Sequence, residues 1–199
     1  MSKELSVPLA QAAAPTATAA TGLRTTGIVL AGSAFVAACA HVSLPLYFTP
    51  VPLSLAPFAV LLLGLLLTPR LAAASLGAYL AEGVLGLPVF APSLTMNGGL
   101  THLFGPTGGY LLAYPLAAPL IAFLFRRTRR GFAAAALSAA AGNITILACG
   151  ALWLAFLTHT SVPSVLALAV LPFLPGDALK IAAAAALAAS LQRMHRPTH

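Results

Sequence analysis

Asp177 and Lys180 stand three residues apart in the run Pro172-Phe173-Leu174-Pro175-Gly176-Asp177-Ala178-Leu179-Lys180, one acid and one base beside a long apolar stretch. If Asp177 starts a helix, Lys180 lies on the same face. An ionisable side chain at the edge of a hydrocarbon slab is expensive to keep, which makes such a pair a functional-site candidate with its partner already named. The carboxylate accepts N–H bonds and the ammonium donates to a carbonyl, so together they suit a flat, neutral ligand of ureido or amide-like chemistry. The alternative is structural, with Asp177 capping the last helix and Lys180 snorkelling to the surface.

Other residues join this pair as candidates. Asn143, inside an apolar run, offers both a donor and an acceptor to a ligand, or else an interhelical hydrogen bond. Phe90, Phe104, Tyr110 and Trp153 are of the type that walls an apolar ring, or that packs and anchors at an interface. Asn97-Gly98-Gly99 and Gly105-Pro106-Thr107-Gly108-Gly109 are strings in which backbone N–H groups approach a ligand closely, although such strings also serve as plain turns. The second is not a phosphate loop, because the Gly-Lys-Ser/Thr ending is missing. His102 and His159 lack metal-ligand spacing and read as polar loop residues, so neither a metal nor a cofactor is expected. Cys39 and Cys149 sit in apolar runs and read as small core residues.

An enzyme is not expected. The three acids are Glu4, Glu82 and Asp177, and neither a paired-carboxylate set nor a Ser/His/Asp set can be assembled from this sequence. Glu82 reads as a structural hydrogen-bond partner or as part of a coupling device.

The elements that would position these residues are membrane helices. Of 199 residues, 60% are hydrophobic and 7% are charged, against roughly 25% charged in soluble domains. The expectation is an all-α integral membrane protein, a bundle of six transmembrane helices over about 25–44, 54–68, 71–87, 110–125, 132–157 and 177–191. A flexible tail over 1–22 precedes the membrane domain of 23–192, and a basic tail over 193–199 follows it. Leu46 to Pro52, with two prolines and an aromatic pair, suits an interfacial connection with Tyr47 at headgroup level. Pro88 to Gly109 reads as a long ordered loop folded back onto the bundle, and 162–174 as an interfacial helix or part of a hairpin.

Charge sorting orients the bundle. With both termini cytoplasmic, Lys3 and every arginine fall on the cytoplasmic side, and Lys180 is the exception. The net charge of +7 then follows from membrane topology, and no nucleic-acid partner is needed to account for it. Gly27, Ala31, Ala34 and Ala38 put small residues on one stripe of helix 1, where another helix can approach; Ala34 and Ala38 are the partner-interface candidates.

Four segments in this order carry a resemblance: Thr49-Pro50-Val51-Pro52, Gly86-Leu87-Pro88-Val89-Phe90, Gly105-Pro106-Thr107-Gly108-Gly109-Tyr110-Leu111 and the Asp177 segment itself. Together they resemble the BioY family of biotin transporters, the substrate-binding S components of energy-coupling factor (ECF) transporters. The resemblance spans about 49–187. It implies a biotin site near the external face, with Asp177 and Lys180 on the ureido ring and Asn97 a third contact. It also implies a transmembrane T subunit and two ATP-binding subunits as partners in the cytoplasmic (inner) membrane, with Ala34 and Ala38 matching the surface by which S components meet the T subunit. The absence of a Walker A sequence fits that dependence. Another vitamin as substrate, a stand-alone facilitator and a homo-oligomer stay open. The ligand's carboxylate would fall to backbone N–H groups of the glycine loop, or to Thr107 and Tyr110, since Lys180 is already assigned.

Overall fold

The computed structural model describes residues 14–92, 99–129 and 131–194. Its architecture is mostly helical. The first helix, α1 (Ala14–His41), leads into a two-stranded antiparallel ribbon, β1 (Ser43–Leu44) and β2 (Leu53–Ser54), with Ser43 opposite Ser54. Then follow α2 (Ala56–Leu66), α3 (Pro69–Val84), the short α4 (Leu100–Phe104), α5 (Gly108–Arg126), α6 (Phe132–Thr158), α7 (Val162–Ala169) and α8 (Leu174–Met194).

Local chemistry sets these boundaries. Pro69 is the first residue of α3, where its missing N–H costs nothing, and Thr68 caps the helix by accepting from the Leu71 N–H at 3.3 Å. Gly131 opens α6 in extended conformation, and the Arg126–Arg129 stretch separates α5 from α6. Pro115 and Pro119 lie inside α5, a placement tolerated in membrane helices because neighbouring helices enclose the freed backbone groups. α5 packs against α6, α3, α4 and α2, and is the most buried of the long helices; α1 is the least.

Among the described residues, four helices are long and apolar enough to cross a membrane: the Thr21–His41 part of α1, α5, α6 and α8. Two of the six expected spans are shorter elements, α2 with 11 residues and α3 with 16, against the ~20 residues of a full crossing. Several boundaries also differ from those read in the sequence. α1 starts at Ala14, inside the stretch expected to be a flexible tail, where residues 16–21 are all Ala or Thr with neither glycine nor proline to interrupt a helix. The connection after α1 holds the ribbon, whose tip exposes Tyr47 almost completely. The loop expected over 88–109 contains α4 and already begins α5 at Gly108. The ambiguous 162–174 segment forms α7, with Val165 and Ala169 buried. α8 begins at Leu174, so Asp177 lies within its first turn and is not its cap.

Helix direction separates two ends of the bundle. Ala40, Pro57, Tyr79, Tyr110 and Asp177 belong to one set of helix ends and surround a cavity. Arg24, Arg70, Arg126 and Arg193 belong to the opposite ends of α1, α3, α5 and α8.

Candidate functional site

The cavity is framed by the end of α1, the ribbon, the second half of α3, the starts of α5 and α8, and the middle of α6. At its polar edge, Lys180 Nζ donates to Asp177 Oδ1 at 3.0 Å, and Asn143 Nδ2 donates to Asp177 Oδ2 at 3.0 Å. All three side chains are buried and all three line the cavity. The helical spacing places Asp177 and Lys180 on one face of α8, and α6 packing against α8 brings Asn143 to the same carboxylate. Lys180 therefore does not snorkel. The amide N–H of Asn143 makes the expected interhelical hydrogen bond, from α6 to α8, while its Oδ1 has no hydrogen-bond partner.

Breaking such a pair by removing one partner leaves a buried uncompensated charge and costs about 3–5 kcal/mol. That cost is a reason to place the pair where a ligand makes use of it. Each carboxylate oxygen retains a lone pair, and the ammonium retains two further protons.

The opposite wall is aromatic. Phe90 is buried, meets Tyr79 edge to face at 5.4 Å between ring centroids, and lies 5.5 Å from the His102 ring. It reaches this position because Gly83 has no side chain; a Cβ there would overlap the Phe90 ring. Tyr110 packs in the same way on Gly150 of α6 and donates its hydroxyl proton to the Ala169 carbonyl at 2.7 Å, tying α5 to the end of α7. Thr49, between the strands of the ribbon, holds the neighbouring Leu168 carbonyl at 2.8 Å. Phe173 meets Tyr110 with its ring tilted by 52° at 6.2 Å between centroids and completes this side.

Of the eight binding candidates read from the sequence, the structure brings five together, Asp177, Lys180, Asn143, Phe90 and Tyr110, whereas Phe104 is exposed on α4, outside the cavity lining. Trp153 is not among the five. Its indole N–H donates to the Gly105 carbonyl at 2.9 Å and holds the loop before α5 from outside the cavity lining. Asn97 lies outside the described residues. Ala34 and Ala38 are exposed on the outer face of α1, while Gly32, Ser33, Val36 and Ala40 of the same helix turn inward.

Other lining residues went unread in the sequence. His102 is not a polar loop residue but a buried one on α4. Its Nε2 lies 3.2 Å from the Ala91 carbonyl and so carries the proton there, which leaves Nδ1 without a partner. Tyr79 and Tyr114 also line the cavity, with rings stacked at 6.4 Å, and the Tyr79 hydroxyl has no partner. The signal was present: Tyr110 and Tyr114 are one helical turn apart, and a phenol inside an apolar helix needs a polar neighbour. Thr107, like Tyr110, is not free to donate, because its hydroxyl already bonds to the His102 carbonyl at 3.1 Å. Both hydroxyl protons are thus already given to backbone carbonyls, which leaves the backbone N–H groups of the glycine loop as the other candidates for a ligand carboxylate. His159 ends α6 in left-handed conformation, away from the cavity lining.

Among the described residues, four buried side-chain polar atoms lack a partner, and three of them, on Tyr79, His102 and Asn143, belong to cavity-lining residues. Orphaned buried polar groups each cost free energy unless something meets them. Their concentration in one cavity makes it the candidate site for a ligand bearing both donors and acceptors.

Known proteins share this chain's sequence and fold. A probable biotin transporter BioY of Pyrococcus horikoshii is 41% identical over 143 residues, covering 72% of this chain and 82% of that one. The biotin transporter BioY of Thermotoga maritima is 33% identical over 162 residues, covering 81% and 92%. A crystal structure described as the S-component for biotin from an ECF-type ABC transporter superposes with a TM-score of 0.78 at 28% identity, covering 87% of this chain and 93% of that one. A sequence model of the BioY family matches residues 10–197, and with these relatives it establishes that the chain belongs to the BioY family.

Proposed function

We propose that this multi-pass protein of the cytoplasmic membrane takes up biotin, binding it in the cavity between α3, α5, α6 and α8. The observation that carries the reading is the buried Asp177–Lys180–Asn143 cluster facing an aromatic wall. A ureido ring offers two N–H donors and one carbonyl. Asp177 and Asn143 Oδ1 accept the donors, Lys180 donates to the carbonyl, and Phe90 and Tyr110 flank the fused ring. The proposal assigns no part to a metal or cofactor, and it contains no chemical step. Asn97 would be a further contact from the segment before α4.

Six helices cross the membrane in this reading, α2 and α3 included, with α7 and the ribbon closing the outer end. Both termini are cytoplasmic, because the arginine-bearing helix ends then share the cytoplasmic face. The cavity opens toward the exterior. Ala34 and Ala38, exposed on α1, receive a T subunit that works with two ATP-binding subunits.

Calorimetry on the purified protein tests the substrate. Biotin is expected to bind saturably, while thiamine and riboflavin give no binding heat. A folded sample that ignores biotin and binds one of the other vitamins would overturn the assignment.

A further inference from the structure

We infer that the site reads the fused-ring end of its ligand and leaves the far end of the ligand's chain unread, so that neutral and amide-extended derivatives bind about as well as the free acid. The inference rests on the biotin reading above.

The charge census comes first. No Lys or Arg occurs between Arg70 and Arg126 or between Arg130 and Lys180, so Lys180 is the single cation available at this end of the bundle. Its ammonium is neutralised by Asp177 at 3.0 Å. The hydroxyl protons of Thr107 and Tyr110 are given to the backbone carbonyls of His102 and Ala169. A carboxylate drawn into this cavity would lose its hydration without meeting an uncommitted positive charge, which is unfavourable. The chain must therefore carry its terminus outward.

The structure contains a route. A second, apolar groove runs between the ribbon and α8, lined by Leu44, Leu53, Phe58, Leu179 and Ala183, and it shares Ser54 and Lys180 with the cavity. Its rim is open, since Leu44 and Leu179 are exposed. Among the described residues, Lys180 is again the one charged residue of its lining. An alkyl chain leaving the polar edge of the cavity at Lys180 enters this groove and buries its methylenes there, while whatever it bears at its end stays outside. The groove's occupant is thus the ligand's own chain.

Competition binding against biotin, using biotin methyl ester, biotinamide and biotinyl-lysine, tests this on the intact protein. Each is expected to bind within about threefold of biotin, whereas loss of a buried charge contact would cost about a hundredfold. A loss of that size for the ester and the amide, with biotin itself bound tightly, overturns the inference and leaves the biotin reading standing. Failure of biotin to bind would strike the biotin reading instead. The route is tested by Ala183→Phe, with Leu44→Trp as a second obstruction should the first fail to fold. Either is expected to weaken biotinyl-lysine about tenfold or more relative to biotin. Equal affinities in both variants would assign the groove to a lipid acyl chain and overturn the route.

Discussion

Among the described residues, two acids lie within helices, and their surroundings differ. Asp177 shares its two oxygens between the ammonium of Lys180 and the amide of Asn143, at the edge of a cavity whose remaining walls are aromatic. Glu82 accepts a hydrogen bond from the Ser33 hydroxyl and joins α3 to α1, outside the cavity lining. The first arrangement keeps unused hydrogen-bonding capacity and exposes it to a ligand. The second closes a contact between two helices. A membrane-embedded carboxylate marks a ligand site when its neighbours are themselves left incomplete, as Asn143 Oδ1 is.

Variants can break this contrast in graded fashion. Asp177→Asn and Lys180→Met should each weaken biotin binding by about a hundredfold or more, since each removes a charge-assisted bond and strands its partner; binding isotherms that survive both changes would move the site elsewhere. Asn143→Ala removes one neutral donor and acceptor and should cost about tenfold in affinity. Ser33→Ala should leave binding within about twofold but lower stability by about 1 kcal/mol, or about 2–4 °C in Tm, measured by thermal unfolding in detergent. Glu82→Gln keeps an acceptor oxygen and should change binding and uptake by less than about twofold. A fall in uptake alone would sharpen the contrast by giving Glu82 a part in coupling.

The polar half of the site was legible because charge is so scarce in this chain that its placement is informative. Asp177, Lys180 and Asn143 stand out against apolar sequence on all sides. The aromatic half was only partly legible. Phe90 and Tyr110 do line the cavity, but the sequence does not distinguish a Trp that faces a cavity from one that anchors a loop, and Trp153 is the latter. His102 escaped because one short helix, α4, turns a residue expected in a loop into a buried wall. Helix ends were limited in the same way. Apolar composition marks which segments are helical, but it does not reveal that β1 and β2 pair, nor that α2 and α3 hold only 11 and 16 residues.

The spacing of Asp177 and Lys180 also bears on how the protein is made. In the topology proposed above, with the arginine ends of the helices retained in the cytoplasm, the start of α8 is the part of that helix that would travel across the bilayer during insertion, and Lys180 would travel with it. Because its counter-ion is a single turn away on the same helix, the two would cross as a neutral unit before any other helix has packed beside them. Asp177→Asn would send the lysine across alone. If the pair serves insertion as well as the recognition proposed above, the amount of correctly inserted Asp177→Asn protein in the membrane should fall below that of the double variant Asp177→Asn, Lys180→Met.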